Sequence, residues 1–456
     1  MKKSLIALAA FAAVGAASAQ SSVTLYGVLD ATYNNLSATN AASQSRVTGN
    51  GSNQSSRIGF RGVEDLGGGL KANFVLEAGI NVDNGTGAAS PGNSTVAGQN
   101  LLTGTGNNAA ANPIEANPVS SNGGLQGLTF NRRATVGLQG AFGEVRLGRD
   151  LTPSFLNLVA FDPFGTVGVG SALNVVLGGL NPAGGSIAPP GTPKPQIRSS
   201  NSIGYMTPNL GGFSGQVMYA FSEVPTNCTA FGVSAPATTA NTNSCTGASG
   251  DGKYLGLRGA YANGPISVAA AYGKTTYAND PTVPVGLFVN GTGSGNLSQF
   301  RGNYTVMNLG GSYDFGVAKA MVQYGTQVQQ ANINQALSPA TGLVDVTRAA
   351  KDQKLTHYLL GVSVPVGAGE FKASYNWGKV NSRALVTDNE RKQNQLALGY
   401  VYNLSKRTAA YTTYSRLTAS GLGAVATMGL NSTAVSAASP GSVNATGFDI
   451  GVRHSF

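Results

Sequence analysis

The chemistry most open to this sequence is that of fixed positive charge. Arg57, Arg61, Arg132, Arg133, Arg146 and Arg198 stand in segments that alternate between apolar and polar residues. A guanidinium keeps its proton at any relevant pH, so several on one wall of a narrow passage attract anions and repel cations. Asp162, on a separate segment, would put negative charge on the facing wall and set up a transverse field. The competing reading is that the arginines form only wall salt bridges with Asp30 and Glu77. Catalysis has less to draw on. A hydrolase needs a nucleophile or activated water beside a base, and the two histidines are an outward His454 and a lone inward His357. No catalytic residue, metal site or cofactor is expected. Cys228 and Cys245 lie in a Thr/Asn/Ala/Gly-rich stretch without neighbouring histidine. In an exported protein a local disulfide between them is expected.

Alternation says which way each charge points. Arg57 and Arg61 lie opposite Ile58 and Phe60, and Arg146 sits between Val145 and Leu147. Arg198 shares a face with Ser200 and Ser202, while Ile203 and Tyr205 take the other. For the adjacent pair, period two turns Arg133 inward with Thr135 and Gly137 and leaves Arg132 on the face of Ala134, Val136 and Leu138. A charge facing lipid is costly, so a bulge or a subunit contact must accommodate one of them.

Strands are what must hold these side chains. The composition counts 64 Gly, 17 Tyr, 17 Phe and only 11% charged residues, which favours extended chain over helix. No stretch after the first twenty residues approaches the roughly 18 consecutive apolar residues of a transmembrane helix. Seven short turns, at 66–69, 140–143, 209–212, 262–265, 314–316, 366–369 and 403–406, each carry Gly, Asn or Pro suited to tight reversal. They alternate with eight long polar connections, at 35–54, 82–127, 152–197, 224–252, 277–301, 330–352, 382–391 and 418–446. Together these join sixteen strands. The predicted fold is an all-β, sixteen-stranded antiparallel transmembrane barrel, with short turns at one rim and long loops at the other.

The same alternation separates a lipid face from a lumen face. Ala72, Phe74, Leu76 and Ala78 look outward, and Lys71, Asn73, Val75 and Glu77 inward. Phe371, Ala373, Tyr375 and Trp377 are read as opposing Lys372, Ser374, Asn376 and Lys379. At the C-terminus Phe448, Ile450, Val452, His454 and Phe456 face out, with Asp449, Gly451, Arg453 and Ser455 inside. This last strand should pair with Val23–Tyr33 and remove the final open edge. A barrel of this size is too wide for side chains to fill. The third long connection, 152–197, is more apolar than an exposed loop should be, and folding it inward would bury that surface and narrow the passage.

Lys2 and Lys3, the apolar run Leu5–Val14 and Ala17-Ser18-Ala19 read as a secretory signal peptide over 1–19, leaving residues 20–456 as the barrel. Without those two lysines the 29 basic residues become 27 against 19 acidic ones, a mild excess of eight.

Several stretches resemble the general diffusion porins of beta-proteobacterial outer membranes. They include Ser22-Val23-Thr24-Leu25-Tyr26-Gly27, the run from Ser56 to Lys71, Phe142-Gly143-Glu144-Val145-Arg146-Leu147-Gly148-Arg149-Asp150, Tyr205-Met206-Thr207-Pro208-Asn209, Asn403-Leu404-Ser405-Lys406-Arg407-Thr408 and Gly451-Val452-Arg453-His454-Ser455-Phe456. The resemblance implies a homotrimer of sixteen-stranded barrels, each constricted by its third loop, passing small hydrophilic or anionic solutes. It implies constriction arginines at Arg57, Arg132 and Arg198, with Glu77 and Asp162 nearby. It also implies that Phe448, Ile450, Val452 and Phe456 form the terminal signal read by the barrel assembly machinery. The expected surroundings are outer-membrane lipid and lipopolysaccharide, with no nucleic acid partner. An enzyme in the barrel, or an adhesin acting through the long loops, are the competing functions.

Overall fold

The computed structural model describes residues 22–41, 43–48, 50–88, 128–176, 197–221, 253–276, 303–330, 351–384, 387–421, 424–428, 435–439 and 441–456. The expected signal peptide at 1–19, both cysteines and the stretch 177–196 of the third connection therefore lie outside the described residues.

Sixteen strands form the barrel. They are β1 (Ser22–Ala38), β2 (Arg57–Gly67), β3 (Leu70–Asn81), β4 (Arg133–Gly140), β5 (Gly143–Leu151), β6 (Arg198–Met206), β7 (Phe213–Ala220) and β8 (Lys253–Asn263), then β9 (Ile266–Thr276), β10 (Tyr304–Asp314), β11 (Lys319–Gln329), β12 (Lys351–Val366), β13 (Gly369–Ala384), β14 (Thr387–Asn403), β15 (Thr408–Gly421) and β16 (Ser442–Ser455). Each pairs antiparallel with its sequence neighbours, and β16 returns to β1 with Val28 opposite Ser455 and Ala31 opposite Val452. That pairing closes the cylinder and leaves no barrel edge unpaired. An eleven-residue strand such as β9, rising ~3.3 Å per residue and tilted ~45°, spans roughly 26 Å of apolar membrane.

Tight turns at one rim are built as their residues suggest. Gly67, Gly68 and Gly69 all hold positive φ, a conformation that a side chain resists, and so return β2 into β3 within three residues. The outer wall between the rims is apolar and exposed to the bilayer, as at Leu360, Leu309, Val136 and Ile450. Aromatic pairs mark its two borders. Phe213–Tyr261 and Tyr313–Phe315 lie near the turn rim, and Tyr219–Phe221 and Tyr324–Tyr358–Trp377 nearer the loop rim.

Two features of the wall depart from the sequence reading. The long connection expected at 382–391 is largely strand, because β13 and β14 continue their ladder out to Ala384 opposite Thr387. Lys379, read as inward, lies on the outer face, since it is two residues from Trp377 and pairs across the ladder with Thr356 and Lys392. The period-two rule itself puts it there.

The interior holds what a soluble domain would place in its core. After β5 the chain turns into the barrel, where Thr152 caps helix α1 (Pro153–Ala160) by accepting the Phe155 N–H, with Pro153 suited to the first turn. α1 lies along β8–β10, and a second single turn, α2 (Leu173–Val176), follows. Between them the chain runs along the wall over a track of inward glycines. A Cβ on Gly310 would stand 2.1 Å from the Phe161 ring, and one on Gly447 would stand 2.5 Å from Val169. Gly361, Gly399 and Gly378 make the same room for Pro163, Phe164 and Val175. Phe161, Val169, Leu173 and Val175 are all buried as a result.

Polar wall residues finish the seating. Asn157 donates to the Asn308 side chain at 2.7 Å, Asn308 donates to the Ser154 carbonyl at 2.9 Å and Gln323 to the Leu158 carbonyl at 2.7 Å. At the far end Gln395 donates to the Val169 carbonyl at 2.8 Å, while Asp449 accepts the Val169 N–H at 2.9 Å. A second inward segment, around 50–56, leaves the β1 edge and wraps Asp30, whose carboxylate accepts the Asn53 and Gln54 N–H groups at 2.9 and 2.7 Å. Tyr411 donates to the same carboxylate.

Candidate functional site: a charged inner wall

The inner faces of β2–β6 and the residues leading into β4 carry the arginines. Glu77 on β3 is shared: Arg132 Nε lies 2.7 Å from one carboxylate oxygen and Arg57 Nε 3.4 Å from the other. Tyr26 of β1 adds a hydroxyl donor to Glu77 at 3.2 Å, and the Arg61 guanidinium lies 5.5 Å from the centre of the Tyr26 ring. Arg198, at the start of β6, stands within electrostatic reach of Arg132, Arg149, Glu77 and Asp150.

Arg132 and Arg133 both turn inward, which resolves the conflict between them. Arg133 begins the regular strand and faces Glu77 across the ladder, reaching Asp150 at 3.2 Å. Arg132 precedes that strand at a bend, where alternation no longer applies, and its N–H donates to the Glu77 carbonyl at 3.0 Å. On β6, Asn201 takes a positive φ, and Ser199, not Ser200, pairs with the inward Asp150. The expected grouping of Arg198 with Ser202 is therefore broken by a bulge.

A lower tier completes the wall. Arg146 on β5 binds Asp150 at 2.6 Å and Glu144 at 2.9 Å, and Asn73 donates to Glu144 at 3.1 Å. Six arginines (57, 61, 132, 133, 146 and 198) thus meet three carboxylates, Glu77, Glu144 and Asp150. Each carboxylate is engaged by at least one guanidinium, and the wall keeps a positive excess.

Asp162 has another role than the one its sequence position suggested. It is 5% exposed, and its carboxylate accepts the N–H groups of Phe164, Thr166 and Ala172 at 2.9, 3.0 and 3.0 Å. Burial pushes its carboxyl above the usual carboxylate range, and those three backbone donors pull it partway back. It ties off the turn joining α1 to α2 and offers no charge to the lumen. Within 151–176 it is also the sole charged residue, so the described part of this segment presents neutral surface toward the arginines.

The remaining singled-out residues fall as follows. Phe448, Ile450, Val452 and Phe456 lie on the outer face of β16, with the Phe456 ring over Gly27 of β1. Asp449 and Arg453 point in, the latter donating to Asn53 at 2.9 Å. His357 is inward on β12 and buried beside α1, in a small cavity shared with Ser154, Asn308 and Gln327. Sequence reasoning did not single out Asp150, Glu144 or Tyr26. Period two marks all three as inward, and that was the available signal.

A closed antiparallel barrel with a polar, charged interior and an apolar outer band defines a membrane channel of the outer-membrane type. The chain belongs to the Gram-negative porin family, whose profile matches residues 4–422. It is 36% identical to outer membrane porin protein 32 of Delftia acidovorans, over the full length of both chains. It is 30% identical to a Bordetella pertussis outer membrane porin over 90% of this chain and 93% of that one. Among solved structures, an anion-selective porin from Comamonas acidovorans aligns over 96% of this chain and all of its own, with a TM-score of 0.63 and 31% identity. The protein is therefore an outer-membrane porin supporting passive diffusion, a channel and not an enzyme.

Proposed function

We propose that the channel prefers anions and that the wall of Arg57, Arg61, Arg132, Arg133 and Arg198, opposite the inward segment 152–176, is its constriction. The observation that carries this reading is the shared Glu77. One carboxylate lies between Arg57 and Arg132, so the site keeps more positive than negative charge. An ion threading the lumen between this wall and the neutral 151–176 segment meets a fixed positive potential, which concentrates anions and excludes cations. The relative named as an anion-selective porin supports the same preference. We further propose that the barrel works as a homotrimer in contact with outer-leaflet lipid and lipopolysaccharide. Residues 1–19 act as its export signal, and the outward row ending at Phe456 is its signal to the assembly machinery. Neutralising Arg57, Arg132 and Arg198 together should move the zero-current potential in a salt gradient toward non-selectivity. An unchanged potential in that variant would overturn the assignment.

A further inference from the structure

The two halves of the barrel differ on the outside. Along the outward rows of β16 and β1–β4 there is no lysine or arginine, only residues such as Thr446, Asn35, Ile58, Ala78 and Ala134. Along β8–β15 the outward positions near the loop rim carry Lys253 and Lys274, then Lys354, Lys379 and Lys392, then Arg416. Among the described side chains of that half, the acids at this level are Asp352 and Glu390.

The densest part lies on β12–β14. Lys379 and Lys392 face each other directly across the ladder, an arrangement of like charges that destabilises a sheet unless something lies between them. Glu390 lies between them, 2.6 Å from Lys379 and 3.2 Å from Lys392. Lys354 stands two residues beyond Thr356, the cross-strand partner of Lys379, and pairs with Asn381, whose other cross-strand partner is Glu390. This group sits immediately above the stacked Tyr324, Tyr358 and Trp377, whose ring centres are 5.1 and 5.5 Å apart. Aromatic rings of this kind sit at headgroup depth. The lysines are therefore held at the level of lipid phosphates, outside the lumen and away from the ion path.

We propose that Lys354, Lys379 and Lys392 form a binding site on the outer wall for the phosphate groups of the outer-leaflet glycolipid. The lipid's acyl chains would lie on the apolar wall below the Tyr358–Trp377 stack, and its phosphates would replace Glu390 as the counter-charge between the lysines. The half without outward lysine or arginine, β16 and β1–β4, is left for contact other than with anionic lipid. The proposal deepens the lipid contact stated above by naming the residues and the recognised group.

The test uses the full-length porin reconstituted with purified lipopolysaccharide and, separately, with the same lipid after enzymatic dephosphorylation, reading lipid retained per barrel after detergent exchange. The triple variant K354Q/K379Q/K392Q should retain roughly tenfold less phosphorylated lipid, with single-channel conductance unchanged as the check on folding. Glu390→Gln should retain more than the parent. Equal retention of phosphorylated and dephosphorylated lipid by the parent, or equal retention by parent and triple variant, would overturn the site. No retention of either lipid by any variant would instead remove the broader reading of lipid contact.

Discussion

Glu77→Gln is the perturbation that separates a functional arginine wall from a merely structural one. The Glu77 side chain is 16% exposed and joined to Arg132 at 2.7 Å and to Arg57 at 3.4 Å. Glutamine keeps the shape and one acceptor oxygen but removes one negative charge from the wall. For an ion passing ~6 Å away in a water-filled lumen, a unit charge contributes roughly 0.7–1.4 kcal/mol at an effective dielectric of about 80 to 40. Screening at about 0.1 M salt cuts this to roughly 0.4–0.8 kcal/mol. The effect has opposite sign for anion and cation, so the permeability ratio should move by about four- to fifteenfold toward anions. Planar-bilayer zero-current potentials in a KCl gradient read this directly, and Arg132→Gln should move the ratio the opposite way by a similar factor. If Glu77→Gln shifts the channel toward cations, or both variants leave it unchanged, the wall charge does not set selectivity.

Other consequences follow from the seating of the inward segment and from the wall. Gly310→Val forces a side chain onto the Phe161 ring; overpacking of this kind costs about 1–3 kcal/mol, and it should lower the temperature at which the barrel unfolds in detergent and alter single-channel conductance. Asp162→Ala leaves three buried N–H groups without an acceptor, at roughly 1–3 kcal/mol each. It should increase open-channel noise without reversing ion preference, since Asp162 does not face the lumen. Asp449→Ala removes the acceptor for Val169 N–H and should give similar noise, read in the same recordings. Because guanidinium groups do not titrate in the accessible range, anion preference should stay flat between about pH 5 and 8. A drop centred near the histidine range of about 6.5 would show that another group sets it.

Period two made most of the barrel legible, because each wall residue meets either lipid or lumen and the sequence must alternate to match. That rule placed Arg57, Arg61, Arg133, Arg146, Asp449 and Arg453 correctly on the inner face. It failed where the chain is not regular strand. Arg132 lies at a bend before β4, so counting residues turned it outward, and at Arg198, which counting did turn inward, the Asn201 bulge breaks the shared face with Ser202. Asp162 shows a different limit. An acid on an apolar segment suggested lumen charge, but only the folded turn reveals the three N–H groups around it. The glycine track under 161–175 was also beyond reach, since the fit of Gly310 to Phe161 joins residues 149 positions apart, and nothing local encodes it.

The most direct test of anion preference is the zero-current potential of the unmodified porin in a planar bilayer separating tenfold different KCl concentrations. The arginine wall predicts a potential whose sign shows chloride crossing faster than potassium. A potential of the opposite sign, with potassium the faster ion, would contradict it.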